Sequence, residues 1–136
     1  MDVVSAYLAR TLDEEIYIDA PEGLGHQKGT TVRLIKSIYR LKQSGRVWYK
    51  KIEKTLNSYG LIHTESDWSV FTNKGHTIIL GIYVDDLIIT GPDLAEIRAM
   101  KAAISSSYPV KDLGRIKVCL GLNIECIETG MTIDQA

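Results

Sequence analysis

Apolar residues recur along the chain at two spacings, one typical of helices and the other of strands. The helical spacing is clearest over residues 44–57, where the apolar positions are Trp48, Ile52, Leu56 and Tyr59. Another face of the same helix carries Arg46, Lys50 and Lys54. Gly60 stands where a glycine commonly ends a helix. The pattern therefore predicts an amphipathic helix with one buried and one basic face.

A second helix is predicted to follow Pro92, with Asp93 as its N-cap and Glu96 as the capping-box partner. Its apolar stripe consists of Ile97, Met100 and Ile104. Strands are predicted at residues 1–4, 16–19, 31–36, 69–73 and 77–90, with a loop over 20–30 and a closing hairpin formed by 116–127 and 131–133. This order predicts an α+β fold, with both helices on one face of a mainly antiparallel sheet, in a single partial domain over 1–136.

Composition narrows the class of protein. The 136 residues suffice for one hydrophobic core, and 45% hydrophobic with 24% charged residues is ordinary for a globular chain. No apolar run reaches the roughly 18 residues that cross a bilayer, and no secretory signal opens the chain, so neither a membrane partner nor secretion is expected. Neither the histidines nor the cysteines show ligand spacing.

Charge is distributed unevenly along the sequence. Residues 1–27 carry six acids and one base, whereas residues 28–54 carry nine bases and one acid. The bases of the second block are Lys28, Arg33, Lys36, Arg40, Lys42, Arg46, Lys50, Lys51 and Lys54. Aromatic residues interleave with them, as on nucleic-acid-binding surfaces. The block indicates either a polyanion partner or a solvated helix face.

Adjacent carboxylates at Asp85 and Asp86 interrupt an apolar strand pattern. Aspartate is unfavourable in strands, and buried charge is costly unless it is paired or bound to metal. Two aspartates at a turn bring together oxygen ligands for a hard cation such as Mg²⁺. The alternative is an ordinary polar hairpin turn.

Asp2 is a third carboxylate beside an apolar, strand-like run. Three carboxylates on neighbouring strands can hold two Mg²⁺ ions about 3.5–4 Å apart for phosphoryl transfer to a 3′-hydroxyl. A metal-dependent nuclease uses a similar set. That alternative is weakened because no His or Glu stands beside the triad to activate a water.

Several segments, in order and spacing, resemble copia-type LTR-retrotransposon reverse transcriptase. They are DVVSAYL at 2–8, EEIYIDAPEG at 14–23, SIYRLKQSGRVWYKK at 37–51, SDWSVF at 66–71, YVDDLIITG at 83–91, KDLG at 111–114 and CLGLNIE at 119–125. The resemblance covers nearly the whole chain. It implies a polymerase palm-like sheet that lacks complete fingers and thumb.

The resemblance also implies roles for individual residues. Asp2, Asp85 and Asp86 match the catalytic aspartates, with Asp2 and Asp85 as main ligands of two Mg²⁺ or Mn²⁺ ions, Asp86 in support and the Val3 carbonyl as an additional ligand. Tyr7 matches the residue that excludes a ribose 2′-hydroxyl, and Gln43 and Arg46 match the nucleotide pocket. Tyr83 and Val84 are expected near the primer end, and Gly121 in a primer-gripping hairpin over 113–125. The basic block, rather than the resemblance, is the reason for expecting contacts with nucleic acid from Arg40, Lys42, Lys50 and Lys54. Ordinary structural roles stand beside these: core packing for Tyr7, a helix cap for Gln43 and a turn for Gly121.

Two positions depart from the family pattern. The family usually has Gly where this chain has Arg40, and Pro where this chain has Gly45. A bulky cation at a position that favours glycine is expected to strain the turn. The resemblance also makes Met1 an internal methionine of a polyprotein. Fingers, thumb and RNase H regions, an RNA or DNA template with primer, and a deoxynucleoside triphosphate are then the partners. An intracellular location is expected, in a cytoplasmic particle or the nucleus. The alternative is a non-catalytic relic that at most binds nucleic acid through residues 28–54.

Overall fold

The computed structural model describes residues 1–4, 6, 11–21, 23, 25, 27, 29–36, 38, 41–127 and 130–135, without the side chains of 11–14, 42 and 43. The chain divides into two compact units: one formed by Met1–Val4 with His63–Ala136, and one by Ser5–Ile62. The expectation of one partial domain stays a prediction. Over the described residues, neither helix is both long and apolar enough to cross a membrane.

The Ser5–Ile62 unit contains a two-stranded ribbon and the first helix. Strands β2 (Thr11–Asp19) and β3 (Thr31–Lys36) pair antiparallel, with Tyr17 opposite Arg33. Helix α1 (Lys42–Ser58) follows. Trp48, Ile52 and Leu56 are buried, which confirms three positions of the predicted apolar face, whereas Tyr59 follows the last helical residue and is 36% exposed. Burying each such side chain stabilises the fold by about 1.5–3 kcal/mol.

The ends of α1 differ slightly from the prediction. The helix begins at Lys42, two residues before the predicted start at Ser44, so Ser44 lies inside the first turn. There its Oγ donates to the Ile38 carbonyl at 2.8 Å, so it does not cap the helix. At the other end Gly60 has a φ of 80° and donates its N–H to the Asn57 carbonyl at 3.0 Å. The glycine stop is therefore confirmed.

The other unit is built on an antiparallel sheet. Its strands are β1 (Asp2–Val3), β5 (Val70–Asn73), β6 (Ile79–Tyr83), β7 (Asp86–Thr90) and β8 (Val110–Lys111), and β4 (Leu61–His63) contributes only His63 to the unit. Within this unit the strand order is β5-β6-β7-β1-β8. Alternation along the strands places Val3, Phe71, Leu80 and Leu87 on one face, and all four are buried. The core of this unit therefore lies on that face.

Helix α2 (Leu94–Ser107) follows β7. Its predicted N-cap is confirmed, because the Asp93 carboxylate accepts from the Ala95 N–H at 2.7 Å, and Glu96 lies in the first turn. Within its apolar stripe Ile104 is fully buried.

A second sheet in this unit has the order β11-β10-β9, formed by β9 (Val118–Cys119), β10 (Leu122–Ile127) and β11 (Gly130–Gln135). The predicted closing hairpin is thus confirmed, with Ile127 opposite Gly130. With two helices and antiparallel pairing in its sheets, the α+β fold class is also confirmed.

Candidate carboxylate site

The hydrogen-bond ladder between β1 and β7 sets two predicted carboxylates against each other. Met1 N donates to the Leu87 carbonyl at 2.7 Å, and Leu87 N donates back to the Met1 carbonyl at 2.8 Å. The next pair, Asp2 opposite Asp86, is therefore of the non-hydrogen-bonded type. In such pairs the Cα atoms are about 4.5 Å apart and the side chains share one face.

The third predicted carboxylate lies in the turn between β6 and β7. Tyr83 is opposite Asp86, so Val84 and Asp85 form a two-residue loop. The Asp85 carbonyl accepts from Val3 N at 2.8 Å, which ties the loop to β1. One carboxylate oxygen of Asp85, Oδ1, is buried. The loop thus fixes Asp85 beside the strand that carries Asp2.

The loop has an unusual backbone conformation at Val84, whose φ is 54°. A positive φ at the first loop residue alone, since Asp85 is not among the positive-φ residues, is the pattern of a type II′ turn, where glycine is preferred. A β-branched residue in this region is a genuine outlier. Strain of this kind concentrates at functional sites.

Register extends the carboxylate pair into a row of four residues across four strands. Tyr83 is opposite Asp86, Asp86 is opposite Asp2, and Asp2 is opposite Lys111 of β8. All four lie on the face opposite the buried one, and Tyr83, Asp86 and Lys111 are exposed. Sequence reasoning placed Lys111 in the KDLG segment at 111–114 and assigned it no role. Its position depends on pairing between residues more than a hundred apart, for which the local sequence carries no signal.

The charges around this row interact. Partial burial, and then the charge of Lys101, lowers the pKa of the Met1 α-ammonium, whereas Asp112, Asp86 and Asp2 act in the opposite direction. Lys101 Nζ donates to Asp112 Oδ1 at 2.8 Å, and the Gly114 N–H donates to the same oxygen at 3.0 Å. The Lys101 bond, followed by the Gly114 bond, lowers the pKa of Asp112. The ammonium of Lys101 is therefore paired with the carboxylate of Asp112.

The donor set fits a hard divalent cation in part. Like charges directly opposite on neighbouring strands are destabilising, so a cation between Asp2 and Asp86 would relieve their repulsion. Across the described ranges, however, no group of three or more His, Cys, Asp or Glu side chains is placed to hold a metal. The structure brings Asp2 and Asp86 together and places Asp85 nearby without gathering all three. Asp2, Asp85, Asp86 and the Val3 carbonyl as metal ligands stay a prediction.

The remaining predicted residues fall into three groups. Tyr83 and Val84 are 52% and 43% exposed beside the carboxylates, and Gly121, with a φ of 79°, forms the β9–β10 turn together with Leu120. Arg46, Lys50 and Lys54 are exposed on α1, as predicted for its basic face. Tyr7 and Arg40 lie outside the described residues, as do the side chains of Lys42 and Gln43.

An antiparallel α+β chain with opposed aspartates beside a Tyr-Val-Asp-Asp turn fits the class of nucleic-acid polymerases. The chain belongs to the reverse transcriptase (RNA-dependent DNA polymerase) family, whose model matches residues 1–136.

Its relatives include Pol polyproteins of transposons and a putative transposon protein. The chain is 39% identical over 129 residues to the retrovirus-related Pol polyprotein from transposon TNT 1-94 of Nicotiana tabacum, covering 91% of this chain and 10% of the relative. It is 33% identical over 139 residues to that from transposon RE2 of Arabidopsis thaliana, covering 99% and 10%. A putative transposon Ty5-1 protein of Saccharomyces cerevisiae is 33% identical over 135 residues, covering 96% and 44%.

These matches confirm that the chain is a fragment of a copia-type retrotransposon reverse transcriptase. It spans about a tenth of the length of the Pol polyproteins from TNT 1-94 and RE2. No solved structure matches it.

Proposed function

We propose that the chain is the catalytic, palm-like part of an RNA-directed DNA polymerase that extends a primer 3′-hydroxyl. The observation that carries the proposal is the Asp2–Asp86 pair on the open sheet face, with the Asp85 loop beside it. Opposed carboxylates on neighbouring strands suit divalent cations and phosphoryl transfer. Membership of the reverse transcriptase family supports the same chemistry.

In this proposal Asp2, Asp85 and Asp86, with the Val3 carbonyl, hold two Mg²⁺ or Mn²⁺ ions. Bound there, the ions would lower the pKa of the attacking hydroxyl and neutralise charge on the leaving pyrophosphate. Tyr83 and Val84 orient the primer end, because both are exposed beside the carboxylates. The hydrogen bond from Val3 N to the Asp85 carbonyl keeps the loop and β1 in register.

The remaining roles rest on the family resemblance. Tyr7 would exclude a ribose 2′-hydroxyl, Gln43 and Arg46 would contact the incoming deoxynucleotide, and Gly121 would let its hairpin approach the primer strand. The template, the primer and the fingers, thumb and RNase H regions of the parent polyprotein are the partners this function requires. Because the chain is a tenth of the length of such relatives, the assay enzyme has to include those regions.

The test replaces Asp85 by Asn in the polyprotein-length enzyme. Asp85→Asn removes a charged oxygen with almost no change in volume, so we expect primer extension on an RNA template to be abolished while the fold is retained. Asp19→Asn is the matched control, because Asp19 is an exposed carboxylate of β2 in the other compact unit. Extension by Asp85→Asn at near-parental rate, with a normal melting curve, would reject the role of Asp85.

A second candidate is a non-catalytic relic that only binds nucleic acid through residues 28–54. The observation in its favour is the row formed by Arg46, Lys50 and Lys54, which follow one another every four residues on the exposed side of α1. Such a row can neutralise phosphates and release counterions.

Filter binding over a series of salt concentrations separates the two candidates when combined with the extension assay. We expect affinity to fall steeply with salt. In the double variant Lys50→Ala with Lys54→Ala, the slope of the logarithm of the binding constant against the logarithm of the salt concentration should become shallower by roughly 0.9 for each duplex phosphate that is no longer neutralised. Lys74→Ala, at an exposed position in the turn between β5 and β6, is the control. Binding with no extension by an intact polyprotein would favour the relic, and a flat salt response would exclude α1 as the binding surface.

A further inference from the structure

The register of three strands places a lysine at the end of the carboxylate row. Asp2 lies between Asp86 on one side and Lys111 on the other, all on the exposed face of the sheet. Directly opposed residues in antiparallel strands have Cβ atoms about 4.5–5.5 Å apart. A long, flexible lysine chain at that separation can bring its ammonium close to the neighbouring carboxylates.

Asp2 and Asp86 are the acidic residues of the row that ends at Lys111. The carboxylate next to Lys111 in sequence, Asp112, is bound by Lys101 at 2.8 Å and by Gly114 N at 3.0 Å. The Met1 ammonium also lies near the pair, and it donates to the Leu87 carbonyl. In a chain extended before Met1 that ammonium becomes a neutral peptide N–H, whereas Lys111 keeps its charge.

We propose that Lys111 is the built-in counter-charge of the Asp2–Asp86 pair, and that a divalent cation binds there in competition with its ammonium. The proposal rests on the proposed metal-dependent function and adds a residue that sets the strength of cation binding. Without metal, Lys111 offsets the repulsion between the opposed aspartates. With metal, the same positive charge opposes the incoming cation, so the site releases its cation more readily than two carboxylates alone would.

The experiment measures Mn²⁺ binding to a version of the chain extended on both sides with the fingers and thumb regions of the polyprotein, with no nucleotide or nucleic acid present. Lys111→Met keeps the length of the side chain and removes its charge, so we expect Mn²⁺ to bind roughly three- to tenfold more tightly at low salt. Screening should shrink the difference as salt rises. Lys111→Arg should keep the parental affinity, and Lys117→Met, at an exposed lysine outside the row, should leave it unchanged. In this extended protein Met1 has a neutral peptide N–H in place of the ammonium, so its charge does not enter the comparison.

A second readout is the melting temperature without metal and with Mn²⁺. Lys111→Met should melt lower than the parent without metal, and Mn²⁺ should raise its melting temperature more than that of the parent. When Asp2→Asn is also present, the melting-temperature loss without metal and the larger gain with Mn²⁺ should both shrink, because the Asp2 carboxylate that interacts with Lys111 is gone.

The outcomes distinguish the role of Lys111 from the metal site itself. Unchanged or weaker Mn²⁺ binding by Lys111→Met, while Asp2→Asn weakens binding, overturns the counter-charge and leaves the metal site standing. If neither the parent nor Lys111→Met binds Mn²⁺, the counter-charge and the metal site are both overturned. Binding by Lys111→Met alone would support the competition directly.

Discussion

At the scale of single residues, two glycines with opposite surroundings allow a matched test of packing. A Cβ added to Gly91 would overlap the Thr77 backbone carbonyl, whereas a Cβ added to Gly81 meets nothing within 4 Å. Because backbone cannot move aside cheaply, we expect Gly91→Ala to lower the free energy of unfolding by about 1–3 kcal/mol. Gly81→Ala should be neutral or stabilising by up to about 1 kcal/mol, since glycine weakens a strand interior. Urea unfolding decides, and equal effects at both sites would contradict the packing argument.

The strained residue of the carboxylate loop supports a second prediction at this scale. Val84 has a φ of 54°, where a β-branched side chain costs roughly 1–2 kcal/mol and asparagine costs less. Val84→Asn should therefore raise the free energy of unfolding by about 1 kcal/mol. Val4→Asn, at a residue of similar exposure without a positive φ, should give no gain. A gain at Val4 alone, measured by thermal unfolding, would show that Val84 is not strained.

At the scale of elements, the start of α2 depends on one side chain. The Asp93 carboxylate accepts from Ala95 N at 2.7 Å and satisfies one of the unpaired N–H groups of the first turn. Asp93→Ala should cost about 1 kcal/mol of stability, and Asp93→Asn, which keeps an acceptor, only a fraction of that. Hydrogen exchange should speed up at first-turn amides in the alanine variant alone. Equal exchange in the two variants would contradict the capping role.

The link between α2 and the segment after β8 has a pH signature. The hydrogen bonds from Lys101 and then Gly114 lower the pKa of Asp112, so this carboxylate is more acidic folded than unfolded. Its stabilisation is therefore present above the unfolded pKa and is lost as pH falls through the folded one. Lys101→Met should raise the pKa of Asp112 toward its ordinary value, as followed by carboxyl NMR. An unchanged titration would mean that the 2.8 Å pair does not persist in solution.

The elements also show where sequence reasoning reaches its limit. Residues 31–36 and the α1 face of Trp48, Ile52 and Leu56 were predictable because periodicity and burial are local signals. Strands as short as β8 and β9, with two residues each, carry no period. The three aspartates were found by residue type and family pattern. The place of Lys111 beside Asp2 required the pairing of distant strands, which sequence spacing does not encode.

At the scale of the whole molecule, the distribution of apolar surface matters most. Over the described residues, the large apolar side chains that are exposed outnumber the apolar residues that are buried. Many exposed ones lie on the C-terminal sheet, including Leu122, Met131 and Ile133, and every residue of β11 is exposed. Apolar patches and open strand edges of this kind favour association.

We therefore expect residues 1–136 alone to be marginally stable, to self-associate and to lack polymerase activity. A version extended on both sides with the fingers and thumb regions of the polyprotein should be monodisperse and should extend primers. Met131→Thr with Ile133→Thr tests the cause, because it should reduce association of the short chain without restoring activity. Sedimentation velocity, thermal melting and primer extension are compared across the three proteins. If the short chain melts cooperatively as a monomer and extends primers as well as the long one, then residues 1–136 suffice for folding and for primer extension without the fingers and thumb regions.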